Sequence, residues 1–294
     1  MFDLRYHVAS LAAVFLALII GILVGVGIAS QTSVSESDRQ LFEQRIEDLQ
    51  RNLATSRADA DLLRRQQEAA TDYIENKSYD AVMTGRLRQK QVAIVFVGQR
   101  DPDLDNAAQR TLTDASGPPP VRMRALELPI TPSSIRNALP AEFAGLTLDE
   151  IGRRYGEELV AGGETPISDA LAAELVVEGD GGNATPAAGV VVAQTALISD
   201  APTRRFVNGL YAGLTGSGVP AVGIERTDDR PSRISMYKSR RLSTIDSVDT
   251  TLGRVGLAAL LSGGLPGQYG LKSTATDGVT PVLEPLPLAP PSGG

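Results

Sequence analysis

Val8–Ile28 is an uncharged apolar run of 21 residues, with Ser10 as its one hydroxyl. As a helix rising about 1.5 Å per residue it reaches roughly 31 Å, matching a bilayer core of about 30 Å. The competing reading is a cleaved signal peptide, but signal cores usually run about 7–15 residues. The run reads instead as an uncleaved anchor over residues 1–29, with Gly27-Ile28-Ala29 leaving a small-residue cleavage site open. Arg5 precedes the run, and Arg39 and Arg45 follow it among five carboxylates, so the positive-inside count is weak. A short tail before a first span usually stays cytoplasmic. The expectation is therefore a single-pass protein of the cell membrane whose later residues are extracytoplasmic, with Phe2, Arg5 and Tyr6 at the interface.

Small residues recur every four positions along this run, at Ala13, Ala17, Gly21, Gly25 and Ala29. Such a ridge lets two helices approach closely in lipid, so it is expected to be a helix–helix interface. After a polar stretch, a heptad pattern places Phe42, Leu49, Ser56, Leu63 and Ala70 in one row, read as position a, with Ser56 here and Gln67 in the second row, read as position d, as polar breaks. Ile46, Leu53, Ala60, Gln67 and Ile74 form the other row, and no Pro or Gly interrupts either. Residues 30–78 therefore read as a coiled-coil stalk, with Phe42, Ile46, Leu49, Leu53 and Leu63 in its core. The alternative is an amphipathic helix packed back on its own domain. An anchor and stalk acting together imply a parallel homo-oligomer, by default a dimer.

Past Gly85 the pattern changes to alternating strands and helices. Val92–Val97 is a continuous β-rich apolar run, as expected of a buried parallel strand, and Val121–Leu128, Gly189–Ala193 and Val219–Ile224 are further strands. Helical patterns fall at about 104–115, 148–161, 167–175, 202–214 and 252–261, and Gly179–Asn183 reads as a loop. The expected fold class is α/β, with a mainly parallel sheet sandwiched by helices over residues 88–271. Residues 272–294 read as a disordered Pro-rich tail, in which PLPLAPP is an alternative polyproline ligand.

Composition narrows the chemistry. There is no cysteine and one histidine, His7, which lies before the apolar run. Thiol catalysis, disulfides, Cys-based metal sites and a Ser–His–Asp triad in the α/β domain are therefore excluded. No GxxxxGK[ST] loop occurs, and Val97-Gly98-Gln99-Arg100 is too poor in glycine for a dinucleotide fingerprint. The net charge of −7 and the low aromatic content, 4%, give no pull on nucleic acid. Asp246 and Asp249 are weak candidates for a hard cation, against a reading in which Asp249 N-caps the next helix and Asp246 closes a turn. The arginine pairs at 153–154, 204–205 and 240–241 read as solvated surface. Met83, Met123 and Met236 are too widely spaced for a soft copper site. No enzyme activity and no cofactor are expected.

Ser10 to Leu18 with Gly21 and Gly25 resembles the opening of the mycobacterial copper transport protein B family of actinobacterial envelope proteins. A second resemblance comprises Ser243, Thr244, Asp246, Asp249, Gly253, Arg254, Ser262, Gly263, Gly264, Gly267, Gln268, Tyr269 and Gly270. It implies copper transport or copper homeostasis at the cell envelope. Members of that family are also linked to envelope and division roles with a membrane-associated partner. The two expectations are thus a copper-homeostasis protein, or a structural and interaction protein that binds no copper itself.

Overall fold

The computed structural model describes residues 4–29, 36–73 and 78–283. Two compact units divide the chain, Met1–Thr71 and Asp72–Gly294. In the first, Leu4–Ala29 forms helix α1 and Glu36–Tyr73 forms α2. The described side chains of α1 run from 13 to 27, about 22 Å of helix, and all are exposed. Among the described residues, no helix is long and apolar enough to cross a membrane. The expected span over Val8–Ile28, with His7 and Ala29, thus lies partly outside the described side chains. Gly21 and Gly25 face open space, and Ala13 and Ala17 are exposed.

On α2, Phe42, Ile46, Leu49 and Leu53 are each more than half exposed. The four-residue step from Phe42 to Ile46 makes the Ile46 row position a and the Phe42 row position d. The side chains of Leu63, Gln67 and Ala70, and all of Ile74, lie outside the described residues. One helix with an exposed heptad stripe is not in itself a coiled coil.

The second unit is a seven-stranded sheet between two helical layers. Its strands are β1 (Val92–Val97), β2 (Arg122–Leu126), β3 (Val176–Asp180), β4 (Gly189–Gln194), β5 (Ala221–Ile224), β6 (Ser243–Ile245) and β7 (Gln268–Tyr269). The helices after α2 are α3 (Tyr79–Met83), α4 (Pro102–Asp114), α5 (Pro132–Ala138), α6 (Leu148–Ala161), α7 (Pro166–Leu175), α8 (Ala201–Gly216), α9 (Ile234–Ser239) and α10 (Thr251–Leu261). Strand order is β3-β2-β1-β4-β5-β6-β7, and every pairing is parallel except β2 with β3.

Continuous apolar runs become central strands because helices cover both faces. Ala93, Val95, Val190 and Val192 join one core with Ile151, Tyr155, Phe206 and Leu210 from α6 and α8. The alternate residues Val92, Ile94, Phe96 and Val191 join the other core with Leu104 and Leu112 of α4 and Leu257 of α10. Alternation at period two thus sorts one strand into two cores.

Several expected boundaries shift. Gly179 and Asp180 are not loop but the end of β3, an exposed edge strand whose mixed Val-Val-Glu-Gly-Asp sequence hides its identity. Met83 and Leu87 are fully buried, so the α/β unit begins before residue 88. It also extends past 271: the backbone N–H of Lys272 donates to Asp246, and Leu283 packs on the core. Of the expected tail, residues 284–294, including PLPLAPP, lie outside the described residues.

Two features of packing depend on glycine. Gly152 and Gly156 of α6 meet Gly209 and Gly213 of α8, backbone against backbone. A Cβ at these positions would stand 2.0, 2.5, 1.9 and 2.0 Å from carbonyl oxygens of the other helix. In the second feature, α10 ends in a Schellman turn. Gly263 (φ +105°) donates to Leu260 O and Gly264 to Ala259 O.

The crossovers from β1 to β2 through α4 and from β4 to β5 through α8 run in opposite directions on opposite faces, and so share one hand. From β6 to β7 the chain moves in the direction of β4 to β5, yet α10 lies on the face of α4. That connection has the opposite hand, against the strong preference for one. Here α10 covers the face beside α4, and β7 is only two residues long.

Candidate functional site at the carboxyl edge of the sheet

Successive parallel strands leave β1 in opposite directions, towards β2 and towards β4. Open α/β sheets bind ligands in the crevice beyond the carboxyl ends of two such strands. In this chain that seam is closed by its own loops. Val97 O accepts from the N–H groups of Thr195 and Ala196, both at 3.1 Å, and Thr195 Oγ1 donates to Gln99 O at 2.6 Å. Gly98 (φ +120°) permits the closure, since a Cβ there would stand 2.6 Å from Thr195 Oγ1 and 2.7 Å from Ala196 N.

A cleft of about 570 Å³ remains on the β2 side, walled by Leu126, Leu128 and Val177 and bordered by Arg100, Asp101 and Glu127. Its electrostatics oppose phosphate. Asp101 N-caps α4, accepting from the N–H groups of Asp103 (2.9 Å) and Leu104 (3.1 Å). The first turn also carries Asp103 and Asp105. The donors and positive dipole end that would hold an anion already serve the chain's own carboxylates. Arg100 is likewise engaged, by Asp105 at Nε and Nη2 and by Glu178 at 3.6 Å. The hydrogen bond to Asp105 is the main reason its pKa is raised. Asp105 also accepts from Gln109 Nε2 at 2.8 Å, while its Oδ1 is buried without a partner among the described residues. Thr195 is the one hydroxyl lining the cleft, and it is bonded to Gln99 O. No nucleophile–base pair lines this cleft.

The residues of the second resemblance gather around β6 and β7, where they hold backbone. Thr244 and Ile245 pair in parallel with Gln268 and Tyr269, next to Ser243, which pairs with Val222. Asp246 is fully buried and accepts from the N–H groups of Leu271 (2.7 Å) and Lys272 (3.0 Å). It therefore closes the turn after β7, where Gly270 (φ +144°) has no room for a Cβ. Gly267 is similarly crowded by the Tyr269 ring, and Gln268 N donates to Asp277 Oδ2. Gly253 lies against Ser247 O, and Ser262 caps the end of α10. Arg254 reaches back to Tyr79, with Nε 3.2 Å from its hydroxyl and the guanidinium 5.6 Å from the ring centroid. Tyr79 in turn donates to Asp114 at 2.5 Å.

One expectation is corrected here. Asp249 does not cap α10. Thr250 does, accepting from Gly253 N at 3.0 Å, while Asp249 accepts from the N–H and hydroxyl of Thr227. A threonine one position closer to the helix takes the cap geometry and leaves Asp249 for the neighbouring loop. Asp246 and Asp249 are thus committed to separate loops. Among the described residues, no group of three or more His, Cys, Asp and Glu is placed to hold a metal. Met83 and Met123 are in the core and Met236 is half-buried.

Of the arginine pairs, Arg153 bonds Glu157, Arg154 lies over Phe143, and Arg204 donates to Ser199 O. Arg240 lies over Tyr211 and donates to Asn208. The sequence reading missed Arg122, a fully buried guanidinium on β2 that donates to the carbonyls of Leu159 and Thr185. It fastens the 182–185 loop to the carboxyl end of α6. Burial lowers its pKa. The sequence signal for it is weak, because Arg122 opens a short strand that carries a second arginine, Arg124, two positions on.

Residues 1–127 match the model of a family described as "Copper transport outer membrane protein, MctB". The match supports an MctB-like assignment, and the family's description indicates copper transport at the envelope. Among curated proteins none matches the chain.

Proposed function

We propose that this chain is a membrane-anchored, oligomeric envelope protein of the copper transport and copper homeostasis family, acting by assembly and not by catalysis. α1 is the anchor, supported by the uncharged sequence Val8–Ile28. α2 is one strand of a parallel coiled coil, and the α/β unit is extracytoplasmic. The observation that carries the reading is the stripe Phe42, Ile46, Leu49 and Leu53, which no other element of its own unit covers and which is more than half exposed. A stripe of that kind is buried by a second helix.

The absence of cysteine makes the test clean. Leu49→Cys should form an intermolecular disulfide in membranes. Arg51→Cys, on the far side of the helix, should not. Equal cross-linking at both positions, or none at Leu49→Cys, would sink the coiled coil.

A second reading is favoured by the donor set of the α/β unit, in which no thiol or imidazole occurs, Met83 and Met123 are buried in the core, and half-buried Met236 stands alone. On this reading the chain is a structural or interaction protein of the envelope or division machinery, and any part in copper handling is indirect. Calorimetric titration of the full chain with Cu(I) and Cu(II) separates the two. A stoichiometric submicromolar site would refute the indirect reading.

A further inference from the structure

A second cleft, of about 390 Å³, opens at the carboxyl ends of β5 and β7. Glu225 follows β5 directly and is buried. One of its oxygens accepts from Lys272 Nζ and Ser232 Oγ, both at 2.7 Å, and the other from Arg233 N at 2.7 Å. Lys272 Nζ also donates to Asp229 O at 3.2 Å. These bonds fix an ammonium in the cleft wall, and Asp246 fixes the loop that carries it.

Both charged side chains lining this cleft, Arg230 and Lys272, are cationic, in a chain of net charge −7. Glu225 neutralises Lys272. Arg230 has no carboxylate partner among the described residues. Its Nη1 donates to the carbonyls of Thr227 (3.4 Å) and Asp229 (3.1 Å), while Nε and Nη2 make no hydrogen bond there. From the other loop, Ser273 and Thr274 bring hydroxyls, and Thr274 Oγ1 is buried without a partner. A planar fork with a free edge matches a two-oxygen acceptor, and a buried hydroxyl left unpaired is costly until something bonds it.

We propose that this cleft binds a small oxyanion, the phosphate or carboxylate group of an envelope constituent or of a free ion. Arg230 supplies the fork and Thr274 a hydroxyl donor. The contrast with the larger cleft is chemical: there the chain's own carboxylates occupy the anion position, while here no carboxylate lines the space.

Calorimetry of the full chain in detergent, with inorganic phosphate and with glucuronate as separate probes, tests the assignment. Saturable binding of phosphate alone identifies a phosphate site. Binding of both probes identifies a general oxyanion site. Either outcome supports the proposal. Arg230→Gln alters an exposed side chain and should weaken binding at least about tenfold, the loss expected for one charge-assisted bond. Thr274→Val should weaken it several-fold, and Arg110→Gln, which does not line the cleft, should leave it unchanged. An absence of saturable heat with both probes overturns the proposal, as does a binding constant unaltered by Arg230→Gln in protein that unfolds at the parental temperature.

Discussion

The α6–α8 crossing makes a quantitative demand on four glycines. At Gly209 a methyl group would lie 1.9 Å from Asp149 O, and at Gly152 it would lie 2.0 Å from Phe206 O. Ordinary carbon–oxygen contact begins near 3.3 Å. Each Gly→Ala change therefore requires the two backbones to part by about 1.3–1.4 Å along that line. The obstacle is main chain in each case, so no side chain can rotate away. Against this, alanine in a helix gains about 1 kcal/mol over glycine. Overpacking in a tight core costs about 1–3 kcal/mol and sometimes more. The second helix cannot retreat without also losing contact with the sheet, so the upper part of that range applies. A net loss of about 2 kcal/mol is expected for Gly209→Ala or Gly152→Ala. In a unit of this size it lowers the melting temperature by roughly 4–8 °C. Gly216→Ala, in α8 but with nothing within 4 Å, is the internal control and should be neutral or slightly stabilising. Thermal unfolding followed by circular dichroism reads all three. If Gly209→Ala melts with or above Gly216→Ala, the backbone contact does not constrain the fold as argued.

Other consequences are equally open to measurement. Lys272→Met strands the buried Glu225 carboxylate and should cost about 3–5 kcal/mol in denaturant unfolding. Adding Glu225→Leu should restore much of that loss, and a double variant as unstable as the single one would contradict the pairing argument. Tyr79 is pushed up to about 12 by burial, aided by its bond to Asp114, and burial raises Tyr155, Tyr211 and Tyr237 in the same direction. A raised folded pKa favours the neutral phenol in the native state. Its stabilisation is complete below the usual value near 10 and is lost as pH rises through about 12. Denaturant midpoints should thus hold to about pH 10 and then fall, and a flat profile to pH 12 would disprove the linkage. Asp101→Ala removes the cap of α4 and should cost about 1 kcal/mol, measured in the same assay.

The sequence was most informative where burial is uniform. β1 and β4 were legible because helices cover both faces, so each strand is a continuous apolar run. β3 was not, because an exposed edge strand carries no such signature. The glycines at 152, 156, 209 and 213 have the same four-residue spacing as Gly21 and Gly25. The spacing stands out in the apolar run and not in the amphipathic helices, yet close helix approach needs small residues in water as much as in lipid. Around β6 and β7, Asp246 and Asp249 suggest a cation site because two carboxylates lie three positions apart, and Gly267–Gly270 carries only a resemblance. Asp246 and Gly267–Gly270 instead secure a crossover of the less favoured hand, a requirement invisible until strand order is known. The two-cation cleft could not be read from spacing either, since Arg230 and Thr274 lie more than forty positions apart.

The withdrawal of Met83 and Met123 into the core also bears on oxidative damage. Redox-active copper injures proteins chiefly at thiols, thioethers, imidazoles and indoles. This chain has no cysteine or tryptophan, and its one histidine lies outside the α/β unit. Half-buried Met236 is the accessible sulfur there, and under peroxide it should take up oxygen before Met83 or Met123. Simultaneous oxidation of all three would show that the core opens readily. A unit so poor in oxidisable groups is well equipped to endure beside a redox-active metal.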